Sequence, residues 1–388
     1  MNSHPVYIIT VLLVIESIIL ILAQAPVGRK WFKFLPSMFW IYFLPMLANT
    51  AGILPAESLF YNEIVRWVLP AALAALLVSA DIRGIFRLGP TALAVMAAGV
   101  AGIMLGAPAV VMLYRPWLPE EGWKGIGALS ASWIGGSANM IAVKEAIGTP
   151  DGVFLPAVIV DTIIPYFWMG LLIALSAYQN TFDRWNKSDS RLLDDLAGRA
   201  AINAATDKNR WTFAGIILIA MLAIGSSFAA VCVSGYLPTV KNGINTTAWA
   251  VILATLFGII LSFTPARKLE ARGSNTLGFF LLYFVLASIG AKASLTHIQS
   301  VPILLLAGIT WIAVHALFLL IAARLLKAPM ALVAAASQAC VGGPASAPVV
   351  AGIYRPELAP VGLLLAVLGN ISGTFLGLCV SRLCYLVW

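Results

Sequence analysis

The chain has 388 residues, of which 61% are hydrophobic and only 10% charged, and its mean hydropathy is +0.95. Soluble domains carry about a quarter charged residues, so this composition excludes an ordinary soluble protein. The net charge of +8 is spread over the loops, where it sets topology and does not mark a nucleic-acid partner.

Repeated apolar runs of about 20 residues describe an all-α polytopic membrane protein. A membrane barrel would need short segments of alternating hydropathy, and none is present. The first apolar segment, 6–23, follows no basic region and ends at no clear small-residue cleavage site, so it is read as a retained span. It is followed by segments at 34–54, 64–80, 90–113, 125–147 and 153–178. A polar linker at 179–210 separates these from a second set at 211–234, 246–263, 276–291, 301–323, 329–353 and 358–387. The expected number of transmembrane segments is therefore about 11–13. Cys232, Cys340, Cys379 and Cys384 form no CxxC pair and lie in or near apolar segments, as small buried hydrophobes do.

The halves, 1–178 and 211–388, read as repeats. VSADIRGIFRLGP (78–90) and SIGAKASLTHIQSVP (288–302) share a small-residue step, a charge, a short polar stretch and a proline that opens the next helix. Double-glycine segments follow in each half, and after each comes a proline–acid pair, Pro150-Asp151 and Pro356-Glu357. The basic stretches, however, disagree with a simple count. GRKWFK (28–33) and DIRGIFR (81–87) follow odd-numbered segments, whereas ARKLEAR (266–272) and RLLK (324–327) follow even-numbered ones. Inverted repeats produce such a flip, but they need an odd number of crossings per half and six are counted. The miscount is expected between 179 and 245.

ASWIGGSANM (131–140) and SQACVGGPAS (337–346) place Gly-Gly inside strongly apolar segments. Breaking a helix in lipid frees N–H and C=O groups that cost several kcal/mol each if unpaired. Such breaks persist where protein, water or a ligand completes them. Discontinuous helices are thus expected at about 125–147 and 329–353. Ser130, Ser132, Ser137 and Asn139 surround the first break, and Ser337, Gln338, Pro344 and Ser346 the second. Asp161 lies deep within VIVDTIIPYFW, where an ionisable group is a functional candidate; its counterpart in the last segment is Asn370. Asn139, Asp161, Thr162 and Gln338 form the expected cation site, for sodium or a proton. Gly135, Gly136, Ser137, Gly342, Gly343, Ser346 and Asn370 are expected to hold the solute. Glu16, Lys144 and Glu145 divide evenly between structural and functional readings. His315 reads more readily as a helix–helix contact, and Asp81 and Lys292 as interfacial residues.

At GGSAN (135–139) the sequence resembles the superfamily of bile-acid/sodium symporters and cation–proton antiporters, in which a Pro-Gly-Gly break is followed shortly by Ser-Asn. Ile134 stands where that pattern has proline, and Pro344 follows Gly342-Gly343 instead of preceding the pair. Over nearly its whole length the chain looks like the bacterial membrane family known by its YjcL member, a domain of unknown function placed in that superfamily. This resemblance implies two inverted repeats, discontinuous helices crossing near the midplane, and a core domain (125–178 and 329–387) that moves against a panel domain. Segments 34–80 and 246–291 would supply panel and dimer contacts, giving a homodimer. The antiporter branch commonly pairs two acids on a core helix; here Val160 precedes Asp161, closer to the symporter branch.

The expected function is a multi-pass secondary active transporter of the bacterial inner membrane. It moves a small anionic or zwitterionic organic solute, coupled to sodium or protons, by alternating access. The alternative is a cation/proton antiporter without an organic substrate. Neither a GxSG-like nucleophile nor an HExxH pair is present, so no enzyme, cofactor or metal centre beyond sodium is expected. The expected partners are the solute and membrane lipid.

Overall fold

Every predicted apolar segment folds as helix, and no strand occurs among the described residues of the computed structural model: 4–25, 32, 37–55, 57–189, 191–204, 212–239, 245–292 and 300–388. Most of the basic stretch 28–33, the linker end at 205–210 and the 293–299 part of the second repeat signature lie outside the described residues. The first half comprises α1 (Pro5–Gln24), α2 (Ser37–Thr50), α3 (Leu59–Leu77), α4 (Ile82–Arg87), α5 (Pro90–Tyr114), α6 (Gly122–Gly135), α7 (Ser137–Ile147) and α8 (Asp151–Leu175). The linker carries α9 (Gln179–Asn186) and α10 (Arg191–Ala204). The second half comprises α11 (Phe213–Ser234), α12 (Thr246–Ser262), α13 (Ser274–Lys292), α14 (Val301–Leu326), α15 (Met330–Val341), α16 (Gly343–Tyr354) and α17 (Ala359–Val387). Among the described residues, eight helices are long and apolar enough to cross a membrane, and α12 and α15 are shorter apolar helices. The protein is an all-α polytopic membrane protein.

Local chemistry sets the helix starts. Pro5, Pro90 and Pro302 stand in the first turn of α1, α5 and α14, where a missing N–H removes no helical bond. Ser58 and Asn245 cap α3 and α12 by accepting from the backbone N–H of Phe60 and Ala248.

Cross-helix contacts fix the helix directions. The Ser274 hydroxyl donates to the Ala75 carbonyl at one end of α3 and α13, and Lys292 Nζ donates to Asn62 Oδ1 (3.4 Å) at the other, so these helices are antiparallel. α5 and α14 are antiparallel too. Gly99 faces His315 and Leu319, whereas Trp311 Nε1 donates to the Ile103 carbonyl (2.9 Å) and the Tyr114 hydroxyl bonds Thr310 (2.8 Å).

The double-glycine segments turn back instead of crossing. Along α17, Gly127 lies by Ser381, Ala131 by Gly377 and Gly135 by Gly369; the chain then reverses, with Asn139 by Gly373 and Val143 by Gly377. Lys124 Nζ consequently reaches the Gly148 carbonyl (3.3 Å). The second pair enters from the opposite end. Met330 N donates to Asp183 Oδ1 (2.8 Å), Gln338 lies level with Pro165, and α16 returns until the Tyr354 hydroxyl donates to the Leu172 carbonyl (2.6 Å). Two re-entrant helical hairpins, α6–α7 and α15–α16, thus meet inside the molecule.

This geometry corrects the crossing count. The miscount lies in the double-glycine segments and not between 179 and 245, because each is a hairpin of two half-length helices. The charge conflict then disappears. Arg267 pairs with Asp81 (2.8 Å) and Arg355 with Asp194 (2.7 Å), while Asn186 Nδ2 donates to the Ala323 and Ala328 carbonyls. These links gather Arg83, Arg87, Arg267, Lys268, Arg324 and Lys327 at one end of the molecule, the cytoplasmic end by the positive-inside rule.

The helices form two groups. α5 to α8 and α14 to α17 pack around Trp133, Trp311 and Phe154, and α1 to α3 and α11 to α13 pack beside them.

Candidate functional site

Backbone geometry builds the first hairpin tip. Gly136 has φ 85° and ψ 171°, a conformation that glycine takes without a Cβ clash. Gly135 has a separate constraint, since a Cβ there would collide with the Gly369 carbonyl oxygen and the Asn139 amide. Asn139 ties this tip down. Its amide donates to the Gly135 carbonyl (2.6 Å) and the Asn370 carbonyl (3.2 Å), and its oxygen accepts from the Thr374 hydroxyl. Hence the polar atoms of Asn139 are already engaged, and the residue clamps the hairpin onto α17.

Gly343, with φ 66°, turns the second tip. A Cβ on Gly342 would collide with Gln338 and Ser346, whose side chains join across the turn: Gln338 Nε2 donates to Ser346 Oγ (2.8 Å). Gln338 is 1% exposed, and its Oε1 has no hydrogen-bond partner.

A cavity of about 350 Å3 lies between the tips, α8 and the second helix group. Gly135, Gly136, Ser137, Asp161, Thr162, Gln338, Gly342, Gly343, Ser346 and Asn370 all line it. The fold thus brings ten of the eleven singled-out residues to one space. Asn139 is the exception and lines an adjoining cavity of about 260 Å3, which extends to Asp81 and Arg267 at the basic end. Asp161 is set among Ser132, Trp133 and Ser137 of the first hairpin. The Thr162 hydroxyl donates to the Val158 carbonyl (2.9 Å), leaving its oxygen as an acceptor.

Helix ends add electrostatics. α6 and α15 bring their C-terminal carbonyl ends to the tips, and α7 and α16 bring their N-terminal ends. One cavity therefore receives partial charge of both signs. Its far wall is aromatic and apolar: Tyr166 of α8, Phe279 and Tyr283 of α13, Leu76 and Met38. These wall residues were not singled out in sequence, because aromatic side chains in an apolar helix carry no periodic signal. Thr374 was also missed, although the small-residue run Gly369–Gly373–Gly377 could have marked α17 as the helix on which the first hairpin lies.

The remaining candidates lie elsewhere. His315 is fully buried, with Nδ1 2.8 Å from the Gly99 carbonyl and Nε2 3.0 Å from Ser337 Oγ, which accepts from Trp168 Nε1 (2.8 Å). One neutral tautomer satisfies this whole chain of groups. Lys144 is 4% exposed and pairs with Glu145 (2.6 Å) and Asp151 (2.8 Å) where the first hairpin meets α8.

Residues 10–385 match the family model described as Protein of unknown function (DUF819). The chain belongs to the DUF819 family. It is 29% identical over 355 residues to the Uncharacterized membrane protein YjcL of Bacillus subtilis (strain 168), an alignment that covers 86% of each chain. The resemblance to the YjcL family is borne out. In this DUF819 chain the matched span takes in both hairpins and every residue that lines the central cavity.

Proposed function

We propose that this membrane protein is a secondary active transporter of the bacterial inner membrane, moving a small anionic or zwitterionic organic solute by alternating access. The observation that carries the reading is the meeting of two hairpins, entering from opposite ends, at one cavity holding a carboxylate, an unpartnered amide oxygen and hydroxyls. The antiparallel pairs α3/α13 and α5/α14 support inverted repeats, each with one hairpin. Removing the hairpin from each set of six apolar segments leaves five segments, the odd number that inversion requires. The resemblance to the symporter and antiporter superfamily likewise implies two inverted repeats, though with broken helices that cross near the midplane where this chain has hairpins that turn back.

Within this reading, Asp161, Thr162 and the Gln338 Oε1 supply oxygen ligands to a sodium ion. The N-terminal ends of α7 and α16, with Ser137 and Ser346, face the carboxylate of the solute. Asn139 positions the tip. A volume of about 350 Å3 sits at the small end of the ligand-pocket range, which favours a solute of metabolite size.

The test is the thermal stability of the purified protein in sodium against potassium at matched ionic strength. A ligand that binds only the folded state stabilises it by about 2.7 kcal/mol at about one hundred times Kd. Sodium is expected to raise the melting temperature of wild type but not of Asp161→Asn or Gln338→Ala. Equal curves in both salts, with the variants like wild type, would contradict the cation site. Sodium-driven proton movement in liposomes with no organic solute would favour the antiporter reading.

A further inference from the structure

Glu16 stands in α1, on the far side of the second helix group from the hairpins. It is 0% exposed, and neither carboxyl oxygen has a hydrogen-bond partner. α1 packs on α2 and α13. α2 contains no charged residue, and α1 contains none besides Glu16. The one charged residue of α13 is Lys292, at the helix end and bonded to Asn62. Tyr283 of α13, the helix on which α1 packs, lines the central cavity, and a charge on Glu16 would act on it. Tyr166 and Asp161 line the same cavity. α13 thus stands between Glu16 and a cavity that three ionisable side chains share.

A buried carboxylate with neither a donor nor a cation carries the full cost of desolvation, whereas the neutral acid carries little of it. A carboxyl retained only for structure would bond a neighbour, and Glu16 bonds none. We propose that Glu16 is a proton-binding site that exchanges its proton with water in the central cavity past Tyr283. In the exchange the carboxyl O–H bond breaks, the proton passes to cavity water and a carboxylate remains; reloading is the reverse. As a coupling site, Glu16 rests on the transporter reading; as a proton site, it stands without it.

Infrared difference spectra of the full chain in lipid nanodiscs, recorded across steps of pH, test this directly. The C=O stretch of a protonated carboxyl is expected at neutral pH in wild type and in Asp161→Asn, fading as the pH rises, and is expected to be absent in Glu16→Gln. Tyr283→Phe is expected to shift the band without removing it. No such band in wild type, or a full band in Glu16→Gln, would overturn the proposal. If Glu16→Gln does not fold, a band lost in Asp161→Asn and unmoved in Tyr283→Phe would overturn it equally. The spectrum needs no transport, so failure of the sodium experiment leaves this result independent.

Discussion

Gly136 and Gly343 face each other where the two tips meet: a Cβ added to Gly343 would stand 3.9 Å from the Gly136 Cα, in van der Waals contact. Each lies at the turn of its own hairpin, so the two halves of the chain meet through bare backbone. Both residues have positive φ, at 85° and 66°. Replacing either with alanine is expected to cost about 1–3 kcal/mol from backbone strain. Gly170→Ala in α8 is the control, since open space surrounds that helical glycine and alanine there is expected to gain about 0.5–1 kcal/mol. Thermal unfolding in detergent separates the two classes.

Asn139→Ala is expected to loosen the first hairpin. It leaves the Asn370 carbonyl and the Thr374 hydroxyl without the partner that joins them, at about 1–3 kcal/mol. Sodium is still expected to stabilise the folded variant, because Asn139 clamps the tip and does not line the central cavity. Loss of the sodium response in a folded Asn139→Ala protein would move the residue into the cation site.

The buried Lys144 holds two carboxylates. Lys144→Met leaves Glu145 and Asp151 facing each other without a cation, and about 3 kcal/mol of stability is expected to be lost. Adding Asp151→Asn is expected to restore part of it. Melting temperatures of the single and double variants check the coupling.

The helices were legible in the sequence, but the direction of two of them was not. Hydropathy measures length and apolarity, and residues 125–147 are long enough to cross. The reversal at Gly136 is a backbone event that a hydropathy window does not register. The flip of basic stretches between the halves carried the missing information, since DIRGIFR and ARKLEAR fall at one end only if the first hairpin, which lies between them, does not cross. The cavity was legible because Gly-Gly breaks, a buried acid and amides share one requirement, a place where freed backbone is completed. The role of Asn139 was not, because an amide that satisfies backbone carbonyls has the same sequence signature as one that binds an ion.

At the basic end, Arg267 and Asp81, both in the wall of the second cavity, pair at 2.8 Å. Partly exposed ion pairs contribute about 1 kcal/mol at most, or about a fivefold change in an equilibrium. Arg267→Ala is therefore expected to raise the maleimide labelling rate of Ser79→Cys, inside that cavity, by up to about fivefold from the cytoplasmic side. An unchanged rate would show that the pair does not restrict entry.

Alternating access is tested most directly at Ser137, on the first tip and facing the central cavity. Ser137→Cys, in a chain whose four native cysteines are replaced, is treated with a membrane-impermeant maleimide in right-side-out and in inside-out vesicles. A carrier that opens the cavity to each side in turn predicts labelling from both sides, with each slowed when Gly136→Val obstructs the tips. Labelling from one side only, under every gradient applied, would contradict alternating access.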